Sequence, residues 1–215
     1  MDNKVLKTNY ELRAISRDQL KGVWGKMAVT ILIYYLITIV PQFIFWEYGL
    51  NIPIIDIIIT IIVSIILGPF TLGFAGYFLK RIRGEIFSLE NIFDGFKRFG
   101  SSFLLIFLMY LFIFLWALLL IIPGIIKAFS YSMAFYIMYD DPNIKPLEAL
   151  KKSKNMMKGY KKEYFLLGLS FFGWILLGIL TLGIGYLWLS PYISLSFGNF
   201  YENLKNIQEE NLVVE

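Results

Sequence analysis

Two long apolar runs constrain the fold of this chain more than any other feature. They occupy residues 103–139 and 164–200. A membrane-spanning helix needs about 20 mostly apolar residues, so each run is nearly long enough for two. The first run is divided by Pro123-Gly124 and the second by Gly183-Ile184-Gly185, which are turn-forming sequences. Each run therefore predicts a hairpin of two membrane-spanning helices.

Two further apolar runs, at residues 27–46 and 52–79, precede these hairpins. The chain is 58% hydrophobic with a mean hydropathy of +0.65, whereas soluble domains are about 45–50% apolar. We therefore expect an all-α polytopic membrane protein that forms a single domain over residues 1–215. The predicted membrane helices cover about 27–46, 57–79, 103–122, 125–139, 164–182 and 186–203, between a polar segment at 1–26 and a tail at 204–215.

The basic residues are distributed unequally between the connections. All lysines and arginines except Lys127 lie in residues 1–26, 80–102, 140–163 and 204–215. With six spans, these four segments lie on one side of the membrane. Lys and Arg concentrate in short cytoplasmic loops, so both termini are predicted to be cytoplasmic.

Each long apolar run is preceded by an amphipathic segment that is expected to lie at the membrane surface. Residues 88–99 have apolar side chains at helical spacing and Ser88 as the N-cap, and residues 146–157 begin with Pro146, which suits a first helical turn. Before the first span, Arg13, Arg17 and Lys21 form a basic stripe. Aligning the two runs superimposes Gly124 on Gly185, which predicts an internal repeat of surface helix and hairpin.

Asp56 and Lys127 are the charged residues within the apolar stretches. Ionisable groups inside a membrane are costly, so both are candidates for function. The predicted topology puts both near the outer boundary, where they could form an ion pair. In the alternative interpretation each side chain reaches separately into the headgroup layer.

The second cytoplasmic loop contains a dense basic cluster. Its members are Lys151, Lys152, Lys154, Lys158, Lys161 and Lys162. Such clusters beside a membrane helix attract anionic lipids, at about 1 kcal/mol per cation. The cluster is therefore a candidate binding surface for anionic lipid or a protein partner. In the alternative interpretation, these lysines only determine the orientation of the protein in the membrane. Nucleic-acid binding is not expected, because no soluble module presents the cluster.

Prolines and small residues within the spans predict details of helix shape and packing. Pro41, Pro69, Pro123 and Pro191 are candidate helix kinks. Small residues recur four positions apart, as in Ser64 and Gly68 or Ser194 and Gly198. This spacing allows close approach of helix backbones in lipid, mainly within one molecule.

Enzymatic activity is not expected from this sequence. The chain contains no histidine and no cysteine, which removes the commonest general base and the commonest ligands of transition metals. It also contains no phosphate-binding loop, zinc-protease motif or nucleophile elbow. We therefore predict no catalytic residue, no metal site and no cofactor.

Residues 121–204 resemble a family of bacterial integral-membrane proteins known only as a domain of unknown function. The resemblance rests on Pro123-Gly124, the linker 147–159, Gly173-Trp174, the turn 183–186, Pro191 and residues 199–202. That family is similar in turn to the membrane portion of some glycerophosphodiester phosphodiesterases. The resemblance implies a six-span protein of a bacterial cytoplasmic membrane, without an established activity. The sequence contains no phosphodiesterase domain, so that activity is not expected.

The sequence therefore favours a non-enzymatic membrane protein that binds lipid or another amphiphile, or that assists another membrane system. The predicted partners are the lipid bilayer, in particular anionic lipids, and a second copy or another membrane protein. A small oligomeric transporter is the alternative, with Asp56, Lys127, Pro69 and Pro191 along its pathway. A membrane scaffold is the third possibility. A lipid binder should have lateral grooves lined by aromatic and basic residues, whereas a transporter should have a polar cavity that reaches the membrane midplane.

Overall fold

The computed structural model describes residues 6–38 and 53–214, and within these ranges the side chains of 53–62, 64 and 211–214 are outside the description. The described residues form α-helices and one 3-10 helix, with no strand. The elements are α1 (Asn9–Leu20), α2 (Trp24–Thr38), α3 (Pro53–Ile82), the 3-10 helix (Leu89–Arg98), α4 (Phe99–Leu119), α5 (Ile121–Tyr131), α6 (Ala134–Asp140), α7 (Pro146–Met156), α8 (Lys161–Leu169), α9 (Phe172–Leu180) and α10 (Tyr186–Val214). The predicted all-helical class is confirmed.

Several of these helices are long and apolar enough to cross a membrane. In the described residues, four segments meet this condition: Ile65–Ile82, Leu89–Leu119, Ile121–Asp140 and Lys161–Leu180. The pair α1 and α2 forms a fifth if it is counted as one span, although its two helices meet at 97°. The predicted sixth span lies within α10, which is not one of these segments. The count of six spans stays a prediction, as does the internal repeat.

The central helix of the bundle is α3. Of its apolar segment Ile65–Ile82, 56% is buried, compared with 17% of Leu89–Leu119 and of Lys161–Leu180. It packs against α2, the 3-10 helix, α4, α6 and α10. Large exposed apolar side chains concentrate on α2, on α4 and α5, and on α8 and α9. These outer helices therefore present the apolar surface that a bilayer would cover.

Both predicted hairpins are present, but the first turns three residues earlier than expected. Helix α4 ends at Leu119, and Leu120 is extended, with φ of −159° and ψ of 143°. Pro123 then lies in the first turn of α5, where the missing N–H of proline has little cost. Gly124 packs against Ala117 of α4, and a Cβ there would lie 2.8 Å from the Ala117 Cβ. The Pro123-Gly124 pair therefore belongs to the helix contact and not to the turn.

The second hairpin turns where the sequence predicted. Helix α9 ends at Leu180, and residues 181–185 form the turn before α10. Leu182 and Gly183 have positive φ values of 52° and 89°. A glycine tolerates this left-handed conformation, which ends many helices.

Both predicted amphipathic segments are helical. Segment 88–99 forms a 3-10 helix, and the Ser88 N–H donates to Asn91 Oδ1 at 2.9 Å. Pro146 begins α7 as expected. Helices α3 and α10 continue through Pro69 and Pro191, and the kinks at these residues stay predictions. Pro41 lies outside the described residues.

Glycines allow α3 to contact the 3-10 helix and α4 backbone to backbone. A Cβ on Gly73 would overlap the Ile92 carbonyl group, and a Cβ on Gly95 would overlap the carbonyl group of Pro69. A Cβ on Gly68 would lie 2.6 Å from the Ser102 carbonyl oxygen. The predicted close approach of helix backbones is therefore present at Gly68, whereas the neighbour of Gly198 is the end of the Ile82 side chain.

We predict that Gly73→Ala and Gly95→Ala each destabilise the protein by about 1–3 kcal/mol, because the added methyl group must displace backbone atoms. The matched control is Gly100→Ala, where nothing lies within 4 Å of the added Cβ. Thermal unfolding midpoints in detergent micelles measure the difference. Equal midpoints for Gly73→Ala and Gly100→Ala would contradict the packing.

Candidate functional site

A groove with a volume of about 470 Å³ lies between the junction of α1 and α2 and the hairpin of α9 and α10. It contains three of the five tryptophans of the chain. Its lining consists of Arg17, Trp24, Trp174, Leu177, Gly178, Thr181, Gly185, Trp188, Leu189 and Tyr192. The wall is thus largely aromatic and aliphatic, with one cationic side chain at the α1 end.

The junction of α1 and α2 places Arg17 and Trp24 on the same side of the groove. Helix α1 begins with a capping box in which Thr8 and Glu11 bind each other's backbone N–H groups. These hydrogen bonds, from the backbone and side chain of Thr8, lower the pKa of Glu11. The helix ends before Gly22, whose φ of 76° favours glycine. The chain then turns by 97° into α2.

Arg13 fixes α1 against the hairpin. Its Nε donates to the Tyr192 hydroxyl at 3.1 Å, and its Nη1 donates to the Ser170 carbonyl at 3.0 Å. The guanidinium carbon also lies 5.1 Å from the centre of the Phe171 ring. Arg17 is one helical turn further along and is exposed. Arg13 therefore has a structural role, whereas Arg17, the next arginine of the predicted stripe, lines the groove.

A buried polar seam continues the contact between α1 and α10. The Ser196 hydroxyl donates to Ser16 Oγ at 3.0 Å, and Asn199 Nδ2 donates to Ser16 Oγ at 3.1 Å and to Gln19 Oε1 at 2.7 Å. These groups satisfy one another in an interior where unpaired polar atoms are costly. The predicted surface helix is therefore held in a defined position on α10.

The hairpin turn shapes the opposite wall. The Gly185 N–H donates to Thr181 Oγ1 at 2.8 Å, and the Thr181 hydroxyl donates to the Gly178 carbonyl at 2.7 Å. The Tyr186 hydroxyl donates to the Ile175 carbonyl at 3.0 Å, which ties the two arms together. Trp174 and Trp188, one on each arm, are about half exposed. The groove is therefore open to the surroundings along its aromatic side.

Arg17 has no acidic partner among the described residues. Their salt bridges have Lys21, Lys80, Arg83, Lys97 and Lys205 as the cations. A guanidinium group presents five N–H donors in a planar arrangement that matches carboxylate and phosphate groups. An apolar wall with such a group at one end suits an elongated apolar molecule with an anionic end.

The structure places the predicted basic cluster on α7 and at the start of α8. Lys151, Lys152, Lys154, Lys158 and Lys162 are exposed, and Lys161 is half-buried. Their binding to lipid or to a partner stays a prediction. The cluster is separate from the groove, whose residues come from α1, α2, α9, α10 and the turn before α10.

Lys127 lies on α5, and its Nζ is 4.3 Å from the centre of the Trp116 ring on α4. This is a cation–π contact across the first hairpin. The Asp56 side chain is outside the described residues, so the predicted pair with Lys127 stays a prediction. In the described part of the chain, no group of three or more acidic residues is arranged to hold a metal ion.

The comparisons with known proteins confirm the resemblance to a family of unknown function, whereas the bacterial origin and the similarity to the membrane portion of phosphodiesterases stay predictions. A family model described as "Protein of unknown function (DUF975)" matches residues 1–128 and residues 117–208. The chain belongs to this family. No curated protein and no solved structure matches the chain.

This DUF975 protein also contains an ionic network that the sequence did not reveal. Asp140, at the end of α6, binds Arg83 Nη2 at 2.7 Å, Lys205 Nζ at 2.6 Å and the Tyr201 hydroxyl at 2.9 Å. Arg83 also binds Glu202 at 2.6 Å. Local sequence patterns do not predict this network, because the partners of Asp140 are distant in sequence and only the fold brings them together.

The network joins the ends of α3 and α6 to α10. Burial by itself lowers the pKa of Arg83, but the hydrogen bond with Asp140 and the charge of Glu202 outweigh it and raise that pKa. Arg83 therefore stays charged, and its charge is balanced by two carboxylates. This arrangement fits a structural role, because both carboxylate oxygens of Asp140 bind groups on other helices or at their ends.

We predict that Asp140→Asn destabilises the DUF975 protein by about 1–3 kcal/mol, because Lys205 loses its charged partner in a partly buried site. The control is Asp18→Asn, which removes an exposed ion pair with Lys21 and should leave stability unchanged. Both are measured as unfolding midpoints in micelles. Similar midpoints for the two variants would show that the network does not hold the helices together.

Proposed function

We propose that this chain is a non-enzymatic membrane protein that binds a lipid or a similar amphiphile with an anionic headgroup in the aromatic groove. The observation that carries this proposal is the combination of Arg17 with Trp24, Trp174 and Trp188 around one groove. The volume of about 470 Å³ lies in the range of about 300–1,000 Å³ that is usual for small-molecule sites.

The chemistry of the lining supports an amphiphile over a wholly polar ligand. Burying an acyl chain against Leu177 and the tryptophan rings removes apolar surface from water. The headgroup would then lie at Arg17, which is exposed at the α1 end. Tryptophan rings are also favoured at the level of lipid headgroups, because they have an apolar body and a polar N–H.

The proposed topology has both termini on the cytoplasmic side of the cell membrane, with six spans. The distribution of the basic residues supports this orientation, because Lys and Arg concentrate in short cytoplasmic loops.

Transport and scaffolding are the alternatives, and the groove is the reason to prefer binding. A transport pathway needs polar groups or exposed backbone near the membrane midplane. The groove wall is apolar apart from Arg17, Thr181 and Tyr192. Pro69 and Pro191 do not interrupt their helices.

We predict that Arg17→Gln weakens binding of an anionic lipid about tenfold, the loss expected for one hydrogen-bonded charge pair. The protein would carry Trp46→Phe and Trp116→Phe, so that fluorescence reports the three groove tryptophans. It would be placed in phosphatidylcholine nanodiscs with increasing fractions of brominated phosphatidylglycerol or brominated phosphatidylcholine. The fluorescence of the groove tryptophans should be quenched at lower fractions of the brominated anionic lipid than of brominated phosphatidylcholine. Arg17→Gln should remove this preference for the anionic lipid.

The matched control is Lys21→Gln, one turn along α1, where the lysine pairs with Asp18 and does not line the groove. Lys21→Gln removes one positive charge, as Arg17→Gln does, and should retain the preference for the anionic lipid. Equal quenching of the parent protein by both brominated lipids would refute the anionic headgroup. Quenching by neither lipid would refute the groove as a lipid site.

A further inference from the structure

A second groove, with a volume of about 400 Å³, lies between residues 6–9 and the junction of α7 and α8. Its lining consists of Leu6, Lys7, Thr8, Asn9, Gly159, Tyr160, Glu163 and Leu166. It shares no residue with the aromatic groove, and most of its side chains are polar. The second groove therefore combines one carboxylate with hydroxyl and amide groups beside two leucines.

Helix α10 holds both walls of the second groove. On one side, the Lys7 N–H donates to Oδ1 of Asn203, which is buried, at 2.7 Å. On the other side, the centre of the Tyr164 ring on α8 lies 4.6 Å from that of Phe197 and 5.6 Å from that of Phe200. The three contact residues of α10 lie within about two helical turns, so both walls rest on the same stretch of helix.

Glu163 is the acidic residue of this lining. It lies in the first turn of α8, where the helix dipole favours a negative charge. In the described part of the chain, its Oε2 is the one buried side-chain polar atom without a hydrogen-bond partner. The large majority of buried polar atoms in proteins have such a partner. Because an ionised carboxylate only accepts hydrogen bonds, this oxygen requires a donor.

The lysines near Glu163 do not supply that donor. Lys161 and Lys162 precede it in the same helical turn, and Lys7 lines the same groove. Among the described residues, none of these three lysines forms a salt bridge. Lys7 and Lys162 are exposed instead. The Glu163 carboxylate can therefore accept hydrogen bonds from a molecule that enters the groove.

A primary ammonium group matches this carboxylate better than a metal ion does. It has three N–H donors and a positive charge, and charge-assisted hydrogen bonds to carboxylates are strong. The Tyr160 ring attracts cations, and Thr8 and Asn9 carry oxygen atoms that can accept further N–H groups. A Ca²⁺ or Mg²⁺ ion requires about six oxygen ligands, whereas this lining has one carboxylate. A quaternary ammonium group has no N–H to donate.

The second groove borders an apolar surface of α8. Leu166 lines the groove and is 39% exposed. Leu169 lies three residues further along the same helix face and is 51% exposed. A lipid can therefore place its ammonium group in the groove and its acyl chains against α8, which removes apolar surface from water. A free amine would occupy only the polar part.

We propose that the second groove binds the primary ammonium group of an aminolipid or of a free amine, and that Glu163 accepts its hydrogen bonds. The site is separate from the aromatic groove and does not depend on Arg17. It is compatible with the proposed topology, because residues 6–9 and 159–163 both lie in segments that are predicted to be cytoplasmic. It accounts for a buried carboxylate oxygen that has no donor in the described part of the chain.

The test compares Glu163→Gln with Glu148→Gln in the full chain in a neutral detergent. Glu148 is the third residue of α7, as Glu163 is of α8, but it is exposed and lies outside the groove. Native mass spectrometry measures the binding of phosphatidylethanolamine and of phosphatidylcholine, whose ammonium group carries methyl groups in place of N–H. The parent protein should prefer phosphatidylethanolamine. Glu163→Gln should weaken that binding about tenfold, and Glu148→Gln should not.

A second measurement identifies the source of the ammonium group. Isothermal titration calorimetry with ethanolamine reports the binding of a free amine to the parent protein and to both variants. Binding of ethanolamine that is lost in Glu163→Gln, without a preference for phosphatidylethanolamine, would assign the site to free amines. A preference for phosphatidylethanolamine that is lost in Glu163→Gln would assign the site to aminolipids.

Two results would overturn the proposal. If the parent protein neither binds ethanolamine nor prefers phosphatidylethanolamine, then Lys7 or a water molecule satisfies Glu163 and the groove is not an amine site. If Glu163→Gln and Glu148→Gln weaken binding equally, the effect is one of overall charge.

If Glu163→Gln does not fold, a second pair of variants tests the same groove. Leu166→Trp should fill the groove and weaken the binding of phosphatidylethanolamine several-fold relative to Leu169→Trp, because Leu169 lies outside the lining. Both leucines are exposed, so both variants are expected to fold. Equal binding by these two variants would also contradict the site.

Discussion

The close approach of α3 to its neighbours is the constraint on which the other helices depend. Glycine at positions 68, 73 and 95 lets the α3 backbone touch the 3-10 helix and the start of α4. Association of helices in lipid relies on such packing, because lipid tails already solvate apolar side chains. With α3 in the centre, the more exposed α4, α5, α8 and α9 can present their apolar faces outward.

Helix α1 shows how a polar segment becomes part of this arrangement. Its buried face carries Leu12, Ser16 and Leu20, and the serine completes a polar seam with Ser196 and Asn199. Arg13 adds hydrogen bonds and ring contacts to the α9–α10 side of the bundle. Because α1 is fixed in this way, the junction before α2 forms one wall of the aromatic groove and does not merely lie at the membrane surface.

Charged residues at the ends of α3, α6 and α10 balance one another. Around Asp140, carboxylates and cations from α6, α10 and the end of α3 form salt bridges, which suits a joint between helix ends. Lys127 differs from them, because its ammonium group lies over the Trp116 ring and forms no salt bridge in the described part of the chain.

The sequence by itself determined the helical class, the two hairpins, the surface helices and the N-terminal turn of α7, because these follow from local composition, periodicity and turn residues. It also identified the family resemblance. It misplaced the first turn by three residues, since Pro123 is equally suited to a first helical turn and only the contact of Gly124 with Ala117 distinguishes the two. The groove and the Asp140 network were decided by tertiary structure alone. Each joins residues from helices far apart in sequence, and local patterns do not determine which helix faces will meet.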